Sequence, residues 1–190
     1  MIIKSHEILK IDTQKTNMLL FYGSNEGHKN EEILKLTQKN KNKEVFKYDE
    51  KEVIDNQNSF LESVLSKSLF KNEKLIIIKR SSEKILKILD ELKDKEIDDL
   101  FIIVVSGNLE KKSKLRSKFE KDKKYICVAF YPDTDQILSR LTHDFFKKQN
   151  LIISQENINL IVSKCSGDRG ALFNELNKIK NYIQDKKKIT

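Results

Sequence analysis

Three short runs limit what this chain can fold into more than any other feature: KLIIIK at Lys74 to Lys79, LFIIVVS at Leu100 to Ser106 and YICVAF at Tyr125 to Phe130. Each is apolar at consecutive positions. Successive side chains of a strand point to opposite faces, so such a run has no face to offer water and belongs inside a sheet covered on both sides. Two further runs of strand type, Met18 to Tyr22 and Glu44 to Tyr48, precede them, and helix-like stretches separate all five. Strands alternating with helices define an α/β, doubly wound domain with a parallel sheet. A hairpin-like stretch from Ile2 to Ile11 is expected to add an edge strand.

After the single proline, Pro132, the pattern changes to three helices with no strand. Thr134 opens the first, with Ile137, Leu138, Leu141, Phe145 and Phe146 on one side; Ser154 is the N-cap of the second, which holds Ile158, Leu160, Ile161 and Val162. SGDRG at Ser166 to Gly170 precedes the third, with Leu172, Phe173, Leu176, Ile179 and Ile183. The expected organisation is an α/β domain over 1–133 and a small three-helix domain over 134–190.

The turn GSNEGHKN, Gly23 to Asn30, lies between the strand at Met18 and a helical pattern with Ile33, Leu34 and Leu36, where a phosphate-binding P-loop would lie. That loop reads G-x-x-x-x-G-K-[ST], because backbone N–H groups wrap the phosphates, lysine neutralises them and the hydroxyl holds Mg²⁺. Here Gly23 and Gly27 are one residue too close, His28 separates Gly27 from Lys29, and Asn30 replaces the hydroxyl. Two readings follow: an ordinary strand-to-helix turn in which Gly23 supplies positive φ, or a weak nucleotide site.

The net charge of +8 points toward a polyanion. Yet only Arg80, Arg116, Arg140 and Arg169 are arginines, and a coding bias toward Lys, Asn and Ile gives the same excess without selection for binding. The densest basic segment runs from Glu110 to Lys124; Lys112, Lys114 and Arg116 are its candidate DNA-phosphate contacts, against a solvated face with Glu110, Glu120 and Asp122 interspersed. Cys127 and Cys165 make neither a disulfide framework nor a metal site, and the three histidines have no metal spacing, so no metal is expected. No apolar run nears the roughly 18 residues of a membrane span, so a cytoplasmic protein without a membrane partner is expected.

Several stretches together resemble the delta-subunit family of the bacterial DNA polymerase III clamp loader. They are SLF at Ser68 to Phe70 before KLIIIKR, NLEKKSKLRSKFEK from Asn108, YPD at Tyr131 to Asp133, and GDRGALFNELNKI from Gly167. The resemblance runs over the whole chain, and its strength lies in the order and spacing of loose motifs. It implies an AAA+-like P-loop-type domain and a helical lid that do not hydrolyse ATP. Three departures from an active ATPase agree: the P-loop is broken, KRSSEK replaces an acidic pair after KLIIIK, and Gly170 stands where active relatives carry the lid arginine, with Arg169 one residue early. No catalytic residue and no cofactor are therefore expected.

The resemblance further implies that Ser68, Leu69 and Phe70 bind the sliding clamp as a hydrophobic wedge and help hold its ring open. Independently, Ser59 and Glu62 form an S-x-x-E capping box, and a helix running from there through Phe70 would set Phe70 on an otherwise polar side. The alternative is a helix that ends before Ser68, with both apolar residues folded into the core. The family also carries a helical collar through which other loader subunits assemble; the chain stops at Thr190, so a truncated form is expected. Other readings are a catalytic P-loop ATPase with an aberrant loop and a stand-alone basic nucleic-acid binder.

Overall fold

A computed structural model of the chain describes residues 1–12, 16–66, 73–93, 100–183 and 188–189. The first half comprises β1 (Ile2–Ile3), a 3-10 turn (Ser5–Lys10), β2 (Met18–Tyr22), α1 (Glu26–Lys39), β3 (Glu44–Asp49), α2 (Glu50–Asp55) and α3 (Gln57–Leu65). Next come β4 (Lys74–Lys79), a second 3-10 turn (Glu83–Ile85), α4 (Leu86–Lys93), β5 (Leu100–Val105), α5 (Lys114–Lys121) and β6 (Tyr125–Ala129). The remainder is α6 (Asp135–Lys147), β7 (Ile152–Ile153), α7 (Gln155–Ser163), α8 (Arg169–Tyr182) and β8 (Lys188–Ile189), so a pair of two-residue strands accompanies the three helices where no strand was expected.

Six strands form one parallel sheet in the order β1-β6-β2-β5-β4-β3. β1 does add an edge strand, but it runs parallel to β6 and leads into a 3-10 turn rather than a hairpin. The wholly apolar runs lie where their patterning requires. Leu20, Ile76, Ile78, Ile102 and Val104 pack with Val53, Phe60, Ile88, Leu89, Leu115 and Phe119 from α2 to α5, while their neighbours Leu19, Phe21, Ile77, Phe101 and Ile103 are also fully buried. Each such side chain contributes about 1.5 to 3 kcal/mol. Cys127 lies within this core, and burial pushes its thiol up to about 12, so it is not a nucleophile at neutral pH.

The chain divides into two compact units: Met1–Gly23 with Glu31–Ala129, and Ser24–Asn30 with Phe130–Thr190. In the second, Thr134, Ser154 and Asp168 each accept a backbone N–H at the start of α6, α7 and α8. Its core joins Leu138, Phe146, Ile158, Ile161, Val162, Leu172 and Leu176. Leu160, expected among them, is instead 57% exposed, because the α7 stripe runs through Ile158, Ile161 and Val162. No helix among the described residues is long and apolar enough to cross a membrane.

At α3 the structure differs from the capping-box start, while the helix ends before Ser68, as one of the two readings had it. The helix begins at Gln57, so Ser59 lies inside it, and it ends at Leu65 with Ser66 already extended. A lysine from beyond the helix fixes that end. The Lys74 ammonium, on a residue only 8% exposed, donates to the carbonyls of Ser63 at 2.5 Å and Ser66 at 2.7 Å and to the Ser66 hydroxyl at 3.2 Å. Terminal helix carbonyls lack partners and carry partial negative charge, so a buried cation satisfies both needs. Lys74→Met should therefore lower stability by roughly 2 kcal/mol in urea unfolding, while Lys74→Arg recovers part of the loss.

Candidate functional site

The turn that stands in the P-loop position takes its geometry from residues that carry no P-loop signature. Gly23 ends β2 with φ at 124°, as its glycine implies, and its N–H goes to the carbonyl of Gly107 at 2.9 Å. Asn25 then caps α1: its side-chain Oδ1 accepts the His28 N–H at 3.0 Å, and its carbonyl accepts that of Lys29 at 3.1 Å. The Asn25 N–H reaches the carbonyl of Phe130 at 3.2 Å, and the Glu26 N–H that of Ser24 at 3.0 Å. A phosphate cradle needs these amides pointing into open space. Here five of them are engaged within the protein.

The Asn25 carboxamide, on a residue 1% exposed, does more than cap the helix. Its Nδ2 donates to Asp133 Oδ2 at 2.9 Å and to the carbonyls of Tyr131 and Gly167, each at 3.2 Å, while Oδ1 also takes the Arg169 N–H at 3.3 Å. Arg169 closes the ring of contacts, with Nε at 2.6 Å from Asp133 Oδ2 and Nη2 at 3.1 Å from Oδ1, a bidentate pair in which the aspartate side chain is 5% exposed. The backbones of the two helix starts meet at glycines. A Cβ on Gly27 would lie 1.9 Å from the Gly170 nitrogen, and one on Gly170 would lie 3.2 Å from the Gly27 Cα. Gly170, which stands where the resemblance implies a lid arginine, is thus the residue that lets α8 start against α1.

Lys29 is fully buried, and its ammonium donates to Glu26 at 2.6 Å. His28 stands edge-on to Phe130 with ring centroids 4.9 Å apart. Gly27 and Lys29 therefore lie in the same compact unit as α8, and Arg169 is directed at Asp133. After β4, where an ATPase would carry acidic residues, Ser81 donates through Oγ to the carbonyl of Ile78, and Ser82 donates through its N–H and hydroxyl to the Glu50 carboxylate. No group of metal-ligating side chains forms among the described residues.

Ser68, Leu69 and Phe70 lie outside the described residues. Of the candidate DNA-phosphate contacts, Lys112 pairs with Glu110 at 3.0 Å and Lys114 is exposed. Arg116 turns inward: Nε meets Glu120 at 2.7 Å, Nη1 donates to the Leu109 carbonyl at 3.3 Å, and the guanidinium lies 5.0 Å from the Tyr22 ring centre. Sequence reasoning missed Asn25 and Asp133, the residues that organise the loop. The one local signal was Asn25 at the helix start, a preferred capping residue.

A parallel sheet with β2 between β6 and β5, a P-loop position after β2 and a helical unit after β6 define the AAA+-like class of α/β fold. Solved structures of that class resemble this chain at low identity. The Bacillus subtilis DNA clamp loader delta protein superposes with a TM-score of 0.57 at 15% identity, over 98% of this chain and 60% of that one. Domain III of the Thermotoga maritima replication initiation protein DnaA gives 0.63 at 13% identity, over 98% and 85%, and a mutant RuvB from the same organism gives 0.61 at 12%, over 97% and 62%. The chain thus spans 60% of the length of the delta protein it resembles. By sequence it matches no family model and no curated protein.

Proposed function

We propose that this chain is a non-catalytic, clamp-binding subunit of the delta type, which engages a sliding clamp ring through Leu69 and Phe70 and works within a replicative clamp loader. The observation that carries the non-catalytic part is the filled loop: five amides engaged internally, Gly27 against the Gly170 backbone, and Arg169 held by Asp133. A fold of the nucleotide-binding class whose phosphate position is packed with its own backbone serves as a scaffold. The clamp-binding part rests on the delta-like motifs and on the delta protein among the structural neighbours. To favour an open ring, the wedge must bind that form more tightly than the closed one, since a ligand shifts an equilibrium only by its differential affinity.

Two measurements test the proposal. Calorimetric titration with MgATP should give no saturable binding up to millimolar concentration; micromolar binding would restore the ATPase reading. In a pull-down and affinity titration against the clamp ring of the same organism, Phe70→Ala should weaken binding at least tenfold with the thermal melt unchanged, about 1.4 kcal/mol for one buried aromatic anchor. Equal affinity for the variant would reject the wedge.

A further inference from the structure

The segment from Glu110 to Lys124 carries eight cations and three anions, a net +5 of the +8 on the whole chain. From sequence the interspersed acids could quiet this charge. The structure shows which cations they take. Glu120 is bound by Arg116 at 2.7 Å, Asp122 by Lys93 of α4 at 2.8 Å, and Glu110 by Lys112 at 3.0 Å. Lys118 is taken by Asp90. Lys111, Lys114, Lys121, Lys123 and Lys124 remain, all exposed and, among the described residues, without a carboxylate partner for their ammonium groups. One further acid, Glu83, meets this segment by accepting the backbone N–H of Lys114 at 2.7 Å.

We propose that Lys111, Lys114, Lys121, Lys123 and Lys124 form a contact surface for the phosphate backbone of a nucleic acid. Lys114 and Lys121 are two helical turns apart on one side of α5, about 10.5 Å along its axis, close to three phosphate steps of one duplex strand. What surrounds the lysines selects the partner. The apolar residues of α5, Leu115 and Phe119, are fully buried, so the surface lacks the aromatic or aliphatic anchors that protein hot spots and membrane-surface helices use. A purely ionic row suits a polyanion bound through counterion release. Of the three contacts expected from sequence, Lys112 and Arg116 each meet a carboxylate of the same segment, and only Lys114 carries over. The inference stands independently of clamp binding.

The test is a fluorescence-anisotropy titration of the chain with a labelled duplex of about 20 base pairs at several salt concentrations. A triple variant, Lys111→Gln, Lys114→Gln and Lys121→Gln, should bind at least tenfold more weakly, and its plot of log K against log salt should flatten by roughly 2.7, about 0.9 per lost phosphate contact. A control triple with the same charge change at exposed sites of the helical unit, Lys147→Gln, Lys148→Gln and Lys180→Gln, should bind as the parent does. Equal losses in both triples, or an unchanged slope in the first, would overturn the assignment. So would polyglutamate binding as tightly as the duplex at equal charge, which would make the partner an acidic protein. Affinity for the clamp ring should be the same for parent and first triple, so a failure here leaves the wedge proposal standing.

Discussion

Gly27→Ala is expected to cost the helical unit on the order of 3 to 5 kcal/mol. The added carbon would lie 1.9 Å from the Gly170 nitrogen, 2.5 Å from its Cα and 2.7 Å from the Arg169 carbonyl carbon. All three are backbone atoms, so no rotamer change relieves the clash. The start of α1 must separate from the start of α8, which also lengthens the bond from the Arg169 amide to Asn25. Overpacking alone contributes about 1 to 3 kcal/mol, and the weakened buried hydrogen bonds add to it. Thermal melts should show a midpoint lowered by roughly 6 to 20 °C, at about 2 to 4 °C per kcal/mol for a chain of this size. Gly170→Ala should cost less, because its closest contact, at 2.9 Å, is the Asp168 carboxylate. Gly107→Ala, where a Cβ meets nothing within 4 Å, should be close to neutral. A neutral Gly27→Ala would sink the claim that backbone fills the loop.

The second large effect is expected of Asn25→Leu. The substitution keeps the branching and the number of side-chain heavy atoms, though not the volume, and removes every side-chain hydrogen bond at a residue 1% exposed. Two backbone amides, two carbonyls and the Asp133 carboxylate lose a partner together. A buried polar group left unsatisfied costs about 1 to 3 kcal/mol, so a loss of about 4 kcal/mol in denaturant unfolding is expected even if several groups relax. Asn25→Leu combined with Arg169→Ala should lose less than the sum of the single changes, because both act on Asp133. Additive losses would mean that the two do not share one network.

Particular residues show how far the sequence could be read. β2 and β4 have the bounds expected of them, since a continuous apolar run has a parallel-sheet interior as its natural place and turn residues mark its ends. Thr134 and Ser154 cap their helices as expected, because capping is settled within three residues of chain. The sequence left the end of α3 open between a helix through Phe70 and one ending before Ser68, and the structure has it end at Leu65. That end is set by Lys74, eight residues after Ser66, through a contact that has no periodicity. The fate of the acids around α5 was not legible, since Asp122 is paired by Lys93 on another helix.

The layers of this protein are written in its residue pattern: alternating strands and helices, a parallel sheet buried on both faces, a helical unit after Pro132, and a loop lacking P-loop chemistry. What became of that loop was settled by folding in three dimensions. Asn25 meets Tyr131, Asp133, Gly167 and Arg169 across 106 to 144 positions of chain, and Gly27 meets Gly170. Hydrophobic periodicity reports which face of a segment is buried, whereas a polar network depends on which distant segments that burial brings together.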